Sequence, residues 1–160
     1  MESLLDKLEQ KEIERIIYFN PGDPDWIPLW NPLGEIPCKD HGTLADNIVG
    51  VYKTLVIGWG DRLESILRHC IFALLHIPNG TLLDITDLLQ RGSQESKALQ
   101  KLILDVVKNA IAQQFWKYDF AEYSSSDFSP PKNKLSKLLV SETVDLMLFH
   151  STSTVSFTHE

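Results

Sequence analysis

Over most of this chain the apolar positions recur with a helical period. The clearest case runs from Gly58 to His76. Leu63, Ile66, Leu67, Cys70 and Leu74 fall three and four residues apart and mark one face of a helix. From Cys70 to Leu75 every residue is apolar, which predicts burial on all sides. Asp61, with Glu64 three residues on, reads as an Asp-type capping box. Glu64 and Arg68 read as an i,i+4 ion pair. Pro78-Asn79-Gly80 ends the segment. The pattern predicts a central core helix around which the other elements pack.

The flanking pattern predicts further helices. Residues 2–12 carry a narrow stripe of Leu4, Leu5 and Leu8. Residues 43–57 carry Leu44, Ile48, Val51, Tyr52 and Leu55, with Thr43 as N-cap and Asp46 three residues later. Asp84 reads as the cap of a short helix ending at Arg91-Gly92. Ser93 caps the next helix, whose stripe is Leu99, Leu102, Ile103, Val106, Val107, Ala110 and Ile111. Phe115, Trp116, Phe120 and Tyr123 continue it, and a run this long is expected to break near Asp105. Leu135, Leu138 and Leu139 begin another helix, and Ser141 caps a last one through Val144, Leu146 and Met147.

Other stretches depart from the helical period. Arg15-Ile16-Ile17-Tyr18-Phe19 is β-branched and aromatic, Thr154-Val155-Ser156-Phe157 alternates, and both read as short strands. Pro21, Pro24, Pro28, Pro32 and Pro37 exclude regular structure over residues 20–37. Trp26, Ile27, Leu29, Trp30 and Leu33 lie among them, so this segment is expected to strap across the core as extended chain. Its functional alternative is an aromatic groove for a ligand, which makes Trp26 and Trp30 candidate partner-contacting residues. Ser124 to Pro131 is rich in Ser and Pro and reads as a mobile surface loop. The fold class expected is mainly α: a compact multi-helix single domain over residues 1–160, with two short strand segments near the chain ends.

At 160 residues the chain is long enough for one sizeable core. No apolar run reaches the roughly 18–20 residues of a membrane span, and Met1 to Gln10 show no signal-peptide pattern. Two cysteines, Cys38 and Cys70, are too few for a disulfide framework, so a cytoplasmic location with reduced thiols is expected. The net charge of -7 argues against tight nonspecific nucleic-acid binding. Lys132, Lys134 and Lys137 form the one local basic run, read as a solvated helix start and as candidate partner contacts.

Reactive chemistry is sparse. No Gly-x-x-x-x-Gly-Lys-Ser/Thr phosphate loop is present, and Gly58-Trp59-Gly60 is too short for a nucleotide loop. Cys38 and His41 have metal-ligand spacing, but a structural zinc site needs a second such pair. His69 and His76, seven apart, share one side of the central helix. A small helical enzyme or metal-binding protein using His41/Cys38 or His69/His76 is the rival reading, against hydrogen-bonded structural histidines. The serines, and the pairs Asp23/Asp25 and Asp84/Asp87, fit caps and turns. No catalytic, cofactor-binding or metal residues are assigned.

Several stretches together resemble one family. Phe19-Asn20-Pro21-Gly22-Asp23-Pro24-Asp25-Trp26, followed by Trp30-Asn31-Pro32-Leu33, resembles the "F-D-P-x-D-P … N-P-L" passage of HerA-like, TraG-like conjugative ATPases. These are the coupling proteins and related DNA-translocation motors of type IV secretion. Trp59-Gly60-Asp61-Arg62-Leu63-Glu64-Ser65-Ile66-Leu67-Arg68 resembles their "W-G-x-R-x-E-x-I-L-R" helix. Thr81-Leu82-Leu83-Asp84, Phe115-Trp116 and Asn133-Lys134-Leu135 follow in the family's order.

In that family this segment is the all-alpha domain inserted between the Walker A and Walker B strands. It caps the cytoplasmic face of a hexameric ring. The resemblance therefore implies an ATPase fragment with neither Walker motif, no ATP hydrolysis of its own, and no cofactor. Residues 1–20 and 153–160 would be remnants of the parent sheet. The implied partners are the parent motor domain, at the inner face of the membrane, and the relaxosome or secreted protein substrates, with weak or indirect DNA contact. One departure stands out. Ser141-Glu142-Thr143-Val144-Asp145-Leu146-Met147 replaces a family stretch, Pro-x-x-Arg-Asn-Ile-Leu, and carries no arginine.

Overall fold

The computed structural model describes residues 26–34 and 40–155, together with Ile16, Asn20 and Asp23. Its elements are α1 (His41–Leu55), α2 (Asp61–Leu74), α3 (Asp84–Leu88), α4 (Gln94–Val106), α5 (Ala110–Gln114), a π-helical turn (Phe115–Asp119), α6 (Phe120–Glu122), α7 (Ser125–Leu139) and α8 (Glu142–Leu148). The domain is mainly helical, as the period predicts, and no strand occurs among the described residues.

α2 is the centre of the core. It packs against α1, α3 and α7. Ile66, Leu67, Cys70, Ile71, Ala73 and Leu74 are buried, while Phe72 and Leu75 are partly buried against the same cluster. Each large aliphatic side chain buried there contributes roughly 1.5–3 kcal/mol. The chain after α2 turns through Asn79, whose φ is 60°, and Gly80. A Cβ on Gly80 would lie 2.7 Å from the Leu74 carbonyl oxygen, so the turn closes against the helix end only because that atom is missing.

α1 and α2 form an antiparallel hairpin joined by residues 56–60. Three polar pairs line the hairpin: Lys53 with Glu64 at 2.9 Å, Asp46 with Arg68 at 2.7 Å, and His41 with His76, two residues past the end of α2, at 3.3 Å. These pairs replace the expected Glu64–Arg68 pair within α2. The Asp61 capping box is also corrected: Gly60 is the N-cap and makes no side-chain bond, and Asp61 is the first helical residue. Glu64 accepts from Trp59 Nε1 at 2.6 Å instead, which fixes the turn onto the helix. In α1 the N-cap is Asp40, accepting from Gly42 N–H, three residues before the N-cap expected at Thr43. Ala45, Val49 and Tyr52 face the core, so the buried stripe is rotated from the expected one and Val51 and Leu55 stay exposed.

Ser93 caps α4 as expected, its hydroxyl accepting from Ser96 N–H. The long run does break, at residues 107–109, where Asn109 caps α5. Gln113 Nε2 donates to the carbonyls of Leu104 and Val107 and satisfies the end of α4. The π turn then carries the Phe120 N–H to the Phe115 carbonyl, five residues back. That extra residue puts Phe115, Trp116 and Phe120 together in the core, with Phe120 against Phe128 at 4.9 Å.

Ser124 to Pro131 is not a mobile loop. It is the first half of α7, opened by a capping box in which Ser124 N–H donates to the Asp127 carboxylate at 2.8 Å. Phe128 and Pro131 are buried, and Arg62 on α2 pairs with Asp127. Burial of those apolar groups offsets the backbone bonds that Pro130 and Pro131 cannot make.

Neither expected strand is shown among the described residues. Ile16 has no regular structure, and the rest of Arg15 to Phe19, like Ser156 and Phe157, lies outside the described residues, as does the helix expected over 2–12. Thr154 and Val155 have no regular structure and pair with a single residue. Thr154 N–H donates to the Leu29 carbonyl at 2.8 Å, and Leu29 N–H donates to the Thr154 hydroxyl at 2.9 Å. A strand needs such bonds repeated along a ladder.

Candidate functional site

Over its described residues 26–34 the proline-rich segment lies against the core without helix or strand, as its composition leads one to expect. Pro28, Asn31, Pro32 and Leu33 are buried in it. Trp30 N–H donates to the Met147 carbonyl at 2.8 Å, tying the strap to α8. Asn31 is its anchor. The side-chain amide donates to Gly80 O at 2.9 Å, its oxygen accepts from Leu33 N–H at 3.0 Å, and its own N–H donates to Ser153 Oγ at 2.9 Å. Strap and tail are thus clasped side by side, 125 residues apart along the chain. Trp26 is exposed and Trp30 half-buried, so the strap shows one indole edge and no closed aromatic groove among the described residues.

The basic run divides by role. Lys134 Nζ donates to the carbonyls of Ile57 and Gly58 at 2.6 and 2.5 Å and locks the α1–α2 corner to α7. Lys132 donates to the Gln90 side chain. Lys137 is exposed. Above the Lys134 lock the corner presents Val51, Leu55 and Ile57, the last 98% exposed. Sequence reading missed this apolar corner, because Val51 and Leu55 have core spacing.

The histidines of the core helix do not pair with each other as the His69/His76 alternative expects. His69 stacks on Phe115 with centroids 3.8 Å apart and donates from Nδ1 to the Ser65 carbonyl. Burial lowers its pKa. His76 donates from Nδ1 to the Phe72 carbonyl and faces His41. His69 and His76 therefore have separate partners, and Cys38 lies outside the described residues. Among the described residues no group of three or more His, Cys, Asp or Glu side chains gathers as a metal site. Burial also pushes the Cys70 thiol up, which keeps it protonated and inert.

Bonds within two of the stretches quoted above, and from two others to glycines beside them, fix the local turns. Asn31 reaches Gly80; Thr81 N–H donates to Asp84 at 2.7 Å; Trp59 reaches Glu64; Lys134 reaches Gly58. Comparisons with protein-family models, curated proteins and solved structures give no match. No described helix is long and apolar enough to cross a membrane.

Proposed function

We propose that this chain is the helical partner-docking domain of a DNA-translocating ATPase of the conjugative, type IV secretion class. On this reading it hydrolyses no ATP itself. It sits as an excursion on a motor domain, in a hexameric parent at the cytoplasmic face of the membrane, and receives relaxosome proteins or secreted substrates. The observation that carries the reading is the clasp of strap and tail. An inserted domain must leave and return at neighbouring points of its parent, and Leu29 beside Thr154 meets that requirement.

Two features support protein over DNA as the bound partner. The chain is acidic overall, and two of its clustered lysines, Lys132 and Lys134, are engaged within the fold. The exposed corner is apolar, the surface character that protein contacts use. The test is expression of the chain in cells that carry out conjugative transfer. The isolated domain is expected to titrate docking partners and lower transfer frequency, and the Ile57→Asp form to restore it. Transfer unaffected by the wild-type chain at high expression would overturn the proposal.

A further inference from the structure

The three pairs that line the α1–α2 hairpin differ in kind. Two join opposite charges, whereas the third sets two imidazoles edge to edge with ring planes 85° apart, His41 Nδ1 against His76 Nε2 at 3.3 Å. We propose that His41 and His76 form a two-histidine site for a divalent cation of the zinc class. The inference rests on this pair alone and is independent of the docking role.

The spacing fits the ion. Two nitrogens bound to a tetrahedral zinc at about 2.0–2.1 Å stand about 3.3 Å apart. The tautomer fits as well. His76 Nδ1 donates to the Phe72 carbonyl at 2.8 Å, so its Nε2 lone pair is directed at His41. A backbone carbonyl on the far nitrogen is the usual support of a metal-binding imidazole. His41 is the first residue of α1 and is only partly buried, which leaves the remaining coordination positions open to water. Without metal, His41 Nδ1–H donates to His76 Nε2. With metal, the His41 proton resides on Nε2, Nδ1 takes up the cation, and the neutral pair releases no net proton. Imidazole ligands suit zinc, copper and nickel, and disfavour magnesium and calcium.

The test is calorimetric titration of the full chain with Zn2+ at pH 7.5. The expected result is one saturable equivalent, weakened at least tenfold in His41→Ala and in His76→Ala, and unchanged in His150→Ala. Mg2+ is expected to give no heat. Nitrogen NMR of the wild-type imidazoles provides a readout that needs no variant: Zn2+ should move His41 Nδ1 and His76 Nε2 and leave the His69 ring in place. Absence of saturable Zn2+ binding, binding unchanged by both alanine substitutions, or unmoved His41 and His76 signals would each overturn the site.

Discussion

The side-chain amide of Asn31 donates to the carbonyl oxygen of Gly80 at 2.9 Å, and both groups are buried. This bond joins the strap to the turn that ends the core helix. Removing the amide leaves a buried carbonyl without its donor. Asn31→Leu should therefore cost about 2 kcal/mol, and a thermal melt should fall by roughly 4–8 °C for a chain of this size. An unchanged melt would show that the strap is not anchored there.

The glycines give an opposed pair of substitutions. Gly80→Ala drives a Cβ into the Leu74 carbonyl oxygen and should destabilise by about 1–3 kcal/mol. Gly50 lies inside α1 with open space around it, so Gly50→Ala should stabilise by about 0.5–1 kcal/mol. Urea midpoints should move in opposite directions.

Lys134 and Ile57 separate stability from docking, although they touch. Lys134→Ala removes two bonds from a partly exposed ammonium and should cost about 1 kcal/mol. Ile57 is fully solvated, so Ile57→Asp should leave stability within about 0.5 kcal/mol and weaken partner binding. Loss of partner binding in neither variant would exclude the corner as the contact surface.

Acid should destabilise the fold in two stages. His41 and His69 have lowered pKa values, both chiefly through burial. His41 faces His76 and lies beside Asp40, while His69 senses Arg68 and Asp119. The unfolded chain then binds protons first, so stability is complete above the ordinary value of 6.5 and declines as pH falls below it. Hydrogen bonds from Ser124, joined by Arg62, pull the Asp127 carboxyl down to about 2. Its contribution is present above 3.8 and is lost as pH falls toward 2. Chemical denaturation across pH 2–8 should show both declines, and Asp127→Asn should shrink the lower one, to which Asp40 and Glu64, also lowered, contribute as well.

The core was legible because α2 combines a helical period with an apolar second half, and such a segment has one stable place. The strap was legible because prolines forbid regular structure while its tryptophans and leucines require cover. The linker reading of Ser124 to Pro131 failed for a physical reason: Ser124-x-x-Asp127 is itself a capping signal, and buried Phe128 outweighs the Ser and Pro composition. The helix ends shifted because Asp40 and Gly60 compete successfully with Thr43 and Asp61 as caps. The His41–His76 contact depends on the register of the hairpin. Once residues 56–60 are taken as the turn, positions whose numbers sum to about 114–117 face each other, as Asp46 and Arg68 also do.

The docking role is tested most directly by titrating the purified chain with relaxosome proteins and, separately, with duplex DNA and with ATP. Saturable protein binding that survives physiological salt, with weak DNA binding and no ATP turnover, is the result expected. Tight DNA binding without protein binding, or ATP turnover by the chain itself, would contradict it.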